Sequence, residues 1–127
     1  LGMQLLFDES YEFGIHNGLG LIEGKVEKIK NEDSKNIKIP HVGFNEVVDI
    51  NGSDQDLRSM LKHDFYFVHS FGVMRNSLHA VEDFVTTEYE GVEFVSALKI
   101  ENVSGTQFHP EKSGLSGLKL FKRCLKC

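Results

Sequence analysis

A mixed α/β chain is what these 127 residues predict. Two observations carry the prediction. Short aromatic and β-branched runs cluster in the second half, at 64–70, 83–87, 92–100 and 103–108, separated by turn signals. Helical patterns stand at the two ends: Met3, Leu5, Leu6 and Phe7 open the chain, and Ser116–Leu125 closes it with apolar Leu118, Phe121 and Leu125 set against Lys119, Lys122, Arg123 and Lys126.

Each element follows from local chemistry. Residues 3–8 read as the first turns of a helix. The glycine-rich stretch from Asp8 to Gly24 shows little periodicity and reads as loop. Lys25–Lys30 alternates as a half-exposed strand does, and the polar 31–36 segment is a turn. Ile37–Ile39 is a short strand stopped by Pro40, with Phe44–Ile50 pairing nearby. Ser53 caps a short helix over Asp54–Lys62, with Asp54 and Asp56 in its first turn. Asp64–Ser70 is the best core strand. Asp83–Thr87, Val92–Ile100 and Val103–Phe108 follow, and Glu90-Gly91 and Glu101-Asn102 are short enough for hairpin turns. Strands so distributed suggest an antiparallel meander.

Composition bounds the function. The net charge is −5 without a block of like charges, which argues against a nucleic-acid surface. No apolar run approaches the ~18 residues of a membrane span. The two cysteines, Cys124 and Cys127, have the spacing of a redox or zinc half-motif, but no second ligand pair accompanies them, so no metal site is expected. They read as two thiols in a reducing compartment. His16, His63 and His79 are isolated and read as surface residues.

The chemistry concentrates in Thr106-Gln107-Phe108-His109-Pro110-Glu111-Lys112-Ser113. A glutamate two residues after a histidine can hold one ring nitrogen while the other faces a cleft. That is the base-and-orienter half of a nucleophilic triad. The third member belongs on a sharp turn flanked by glycines. Gly2 stands where the downstream glycine would be, which would put the nucleophile immediately before Leu1.

Four blocks now make a resemblance: Leu1–Phe7; Gly18-Leu19-Gly20-Leu21-Ile22-Glu23-Gly24; Ile39-Pro40-His41-Val42-Gly43-Phe44-Asn45; and the pair formed by Phe65–Phe71 with Gly105–Ser113. In this order they resemble the class I, triad-type glutamine amidotransferases, and more narrowly the glutaminase subunits of imidazole glycerol phosphate synthases. The resemblance implies an α/β open sheet of flavodoxin-like type, of which residues 1–127 would be the C-terminal two-thirds of a single domain. It implies catalytic His109 and Glu111, with the backbone N–H of Leu1 in the oxyanion hole. It implies Gln4, Ser70 and Phe71 around a bound glutamine, and Pro40, His41, Asn45 and Lys112 toward a partner.

That partner would be a (β/α)₈-barrel cyclase, bound as a heterodimer in the cytoplasm, with no cofactor, metal, nucleic acid or membrane involved. The reaction implied is hydrolysis of glutamine to glutamate and ammonia for histidine biosynthesis. Phe44 departs from the tryptophan usual in those subunits. This keeps open a paralogue serving acetamidino-sugar synthesis, beside a nucleophile-free binding subunit. The 127 residues alone are expected to be inactive, since they lack a nucleophile in the required context.

Overall fold

The structure is a computed structural model that describes residues 3–11, 14–30 and 37–124. The expectations for Leu1, Gly2, the 31–36 turn, Leu125 and Cys127, and for the side chains of Phe121 and Cys124, lie outside the described residues.

Among the described residues, ten strands form three sheets: β1 (Phe7–Ser10), β2 (His16–Asn17), β3 (Ile22–Lys28), β4 (His41–Glu46), β5 (Asp49–Asn51), β6 (Asp64–His69), β7 (Phe71–Gly72), β8 (Asp83–Tyr89), β9 (Val92–Ile100) and β10 (Val103–Thr106). Two α-helices join them, α1 (Gln55–Arg58) and α2 (Gly114–Cys124). The sheets run β2-β1-β3-β7, β10-β9-β8-β5 and β4-β6. The α/β class is as expected. The β1–β3 pair is parallel, while β8–β9, β9–β10, β5–β8 and β4–β6 are antiparallel, so the late strands do form the meander their spacing suggested.

The β8–β9 ladder is covered on both faces. Phe84, Val95 and Leu98 join one core with Met3, Phe7, Ile22 and Val26. Val85, Phe94 and Ala97 join the other with Phe65, Phe67, Phe108 and Leu120. This is why β9 reads as a nearly unbroken apolar run rather than an alternating one. Each fully buried phenylalanine in this layer stabilises the fold by about 1.5–3 kcal/mol.

Several elements differ from the sequence reading. Residues 4–6 form one 3₁₀ turn, and Phe7 enters a strand instead of continuing a helix. The backbone there is claimed by the glycine-rich loop: Gly18, Leu19 and Gly20 donate to the carbonyls of Asp8, Leu5 and Phe7. Gly18 permits this approach, since a Cβ there would lie 2.0 Å from the Phe7 oxygen.

No strand forms over Ile37–Ile39; the strand starts at His41, just after Pro40, and pairs along its whole length with β6. Helix α1 is shorter than expected and is capped by Asp54, whose carboxylate accepts from Leu57 N at 3.0 Å, while Ser53 N donates to Asp83. Lys62, in the left-handed region at φ 65, lies where the longer helix was expected to end. On α2, Leu120 is buried, whereas Leu118, expected on the apolar face, is exposed. No helix among the described residues is long and apolar enough to cross a membrane.

Candidate active site

The segment after β10 is anchored to β6 through the backbone. His109 N donates to Tyr66 O at 2.9 Å, and Tyr66 N donates to Ser113 Oγ at 2.9 Å. Ser113 Oγ in turn donates to His109 O at 2.7 Å. Phe108 stacks on Phe65, with ring centroids 4.1 Å apart, and pins the start of the turn in the second core. Pro110 occupies the first position of a 3₁₀ turn over Pro110–Lys112, where its missing N–H costs nothing. The turn holds Glu111 beside the preceding imidazole.

His109 Nδ1 lies 2.8 Å from Glu111 Oε1. Both side chains are partly exposed. The Glu111 carboxyl is held below its ordinary range by a hydrogen bond from its own backbone N–H and by His109. A carboxylate in this place favours the His109 proton on Nδ1 and leaves Nε2 free to accept one.

Gln4 is buried, not solvent-facing as a surface helix residue would be. Its Nε2 donates to Phe71 O and to Gln107 Oε1, both at 3.0 Å. Gln4 and Phe71, both expected near a ligand, are therefore brought together. Ser70 lies between β6 and β7, just before Phe71, with its carbonyl accepting from Ile29 N at 3.0 Å. Gln107, 3% exposed, belongs to this cluster and was not singled out from the sequence. Its only signal there was its place two residues before His109.

Strand alternation decides the Pro40–Asn45 segment. Val42 and Phe44 point outward, 56% and 57% exposed, and pair across to Val68 and Tyr66. His41, expected at a partner surface, instead turns inward and is 1% exposed. It stacks on Tyr89, centroids 4.0 Å apart, and on Phe67. Its Nδ1 lies 3.0 Å from His69 Nε2 and its Nε2 lies 2.6 Å from Asn45 Oδ1. His69 Nδ1 reaches Phe71 O at 2.9 Å. Burial lowers the pKa of His41, and lowers that of His69 to about 4, with the charges of His41 and His109 adding to the effect. Pro40 and Lys112 are exposed. His16, His63 and His79 are exposed, as expected. Among the described residues no group of three or more His, Cys, Asp or Glu could hold a metal ion.

A family model described as glutamine amidotransferase class-I matches residues 1–126. Imidazole glycerol phosphate synthase subunit HisH 1 of Legionella pneumophila (strain Lens) is 39% identical, over 99% of this chain and 62% of that protein. The HisH subunit of Pyrococcus furiosus is 44% identical, over 96% of this chain and 59% of its own length. HisH 1 of Campylobacter jejuni (strain 81-176) is 43% identical, over 96% and 58%. The chain thus spans about three-fifths of the length of these curated relatives.

Proposed function

The chain belongs to the class-I glutamine amidotransferase family, and from that premise we propose that the intact protein hydrolyses glutamine to glutamate and ammonia and passes the ammonia to a synthase partner. The observation that carries this is the 2.8 Å contact between His109 Nδ1 and Glu111 Oε1. A thiol must be ionised before it attacks the side-chain amide, and the departing amine must be protonated. His109 Nε2 takes the thiol proton and gives it to the amide nitrogen, which leaves as ammonia as the C–N bond breaks. It then deprotonates the water that cleaves the thioester. Glu111 holds the tautomer and stabilises the imidazolium. The thiol is that of a cysteine of the intact protein.

Gln4 and the backbone at Ser70 and Phe71 hold the substrate glutamine. Pro40 and Lys112, together with the outward Val42 and Phe44, face the partner, a (β/α)₈-barrel cyclase in a cytoplasmic heterodimer, while Asn45 lies on the inward side of the same strand. His41 contributes to that face from beneath, through Asn45. The names of the relatives favour imidazole glycerol phosphate synthesis, hence histidine biosynthesis, over acetamidino-sugar synthesis.

The test is glutamate release by the intact protein with its synthase. Loss of His109 should lower kcat by about 10²–10⁴-fold and leave glutamine binding nearly unchanged. A His109→Ala variant with wild-type kcat would remove His109 from the chemistry.

A further inference from the structure

The buried imidazole pair carries a consequence of its own. Four groups lie in series: Phe71 O, His69, His41 and the Asn45 amide. A carbonyl oxygen only accepts, so His69 Nδ1 bears a proton. In a neutral His69, Nε2 is then bare and accepts from His41 Nδ1–H. That leaves His41 Nε2 bare and in need of a donor. The Asn45 amide is the group in reach, and it donates only when Nδ2 faces the ring. With Oδ1 there instead, three protons would be shared over two rings and the pair would carry a positive charge. Among the described residues no carboxylate hydrogen bond to either ring is seen, Glu90 acting on His41 only through its charge, and both residues are buried, 1% and 8% exposed. An uncompensated charge in that place is costly. The neutral chain, with the Asn45 nitrogen toward His41, is therefore the favoured state, reached by a half-turn of the amide.

The far end of this chain matters because Phe71 O takes two donors, His69 Nδ1 and Gln4 Nε2. Two converging donors set the plane of the Phe71–Gly72 peptide. We propose that His69 is a positioning residue for substrate: it fixes the Phe71 peptide, and His41 and Asn45 set the tautomer that lets it do so. This rests on the reading that glutamine is held at Gln4, Ser70 and Phe71. Asn45 lies on β4, the strand whose other face presents Val42 and Phe44, so the chain spans from that strand to the substrate backbone.

Two measurements on the intact protein test it. Nitrogen NMR of ¹⁵N-histidine-labelled protein at pH 7 should show His69 protonated on Nδ1 and bare on Nε2. Glutaminase kinetics should show a KM for glutamine raised about tenfold in His69→Leu, the size of one buried hydrogen bond, with kcat changed less. His69→Asn, whose amide nitrogen stands where Nδ1 does, should keep KM near wild type. The Nε2–H tautomer or a cationic His69 at pH 7 would overturn the proposal. So would an unchanged KM in His69→Leu, or a tenfold rise in His69→Asn. If His69→Leu does not fold, His69→Asn and the tautomer decide. Wild-type protein without glutamine turnover would instead refute the functional reading, and the positioning role with it.

Discussion

Acid should unfold this protein through its buried histidines before its carboxylates. His69 has a pKa of about 4 in the fold against an ordinary 6.5, because burial among aromatic rings disfavours the cation. The unfolded chain therefore binds a proton between pH 6.5 and about 4 that the folded chain refuses. Stability rises with pH wherever the unfolded state binds more protons. The stabilisation is complete above pH 6.5 and is lost as pH falls toward 4.

At about 1.4 kcal/mol per pH unit this window amounts to about 3 kcal/mol, and His41 acts in the same direction. Glu90 opposes it at His41, and His109 reinforces it at His69. Glu111 and Asp49 have lowered pKa values, so their contributions fade only below ordinary values of 4.5 and 3.8. The interval from 6.5 to 4.5 belongs to the imidazoles. Urea unfolding of the intact protein at half-unit steps from pH 7.5 to 4.5 reads the slope, with His69→Asn as the non-titrating comparison. Equal slopes in the two proteins would refute the account of His69.

Two further outcomes follow from the turn that carries His109. Ser113→Ala removes the acceptor of Tyr66 N–H in a site 4% exposed, and should cost about 2 kcal/mol in urea unfolding; no loss would mean that Ser113 does not hold the turn to β6. Gly117→Ala would place a Cβ 1.8 Å from the Pro110 oxygen, a backbone atom that cannot swing aside. It should cost about 3 kcal/mol and displace the turn, lowering kcat as well; a variant as stable and active as wild type would refute the close approach of α2.

The candidate site was legible in the sequence where its residues are close together in the chain. His109 and Glu111 are two residues apart, and Pro110 between them forces a tight turn, so their contact needs little from the rest of the chain. The hairpins at 90–91 and 101–102 were legible for the same reason: both Glu90 and Glu101 take positive φ beside a small or polar neighbour. The helix expected at 3–8 failed because residues 18–20 of the glycine-rich loop take the carbonyl groups of Leu5, Phe7 and Asp8. Leu118 failed because packing placed Leu120, two positions on, in the second core instead.

By itself the sequence determined the family, the α/β class, the late strands and the contact between His109 and Glu111, since each depends on residues near one another in the chain. Only the tertiary structure decided that Gln4 meets Phe71 and Gln107 across 67 and 103 residues. It alone decided that His41 faces inward to His69. A period-two pattern tells which residues share a face of a strand, but not which face is buried; that choice is made by the Phe67, Tyr89 and Phe94 rings that close over the imidazoles.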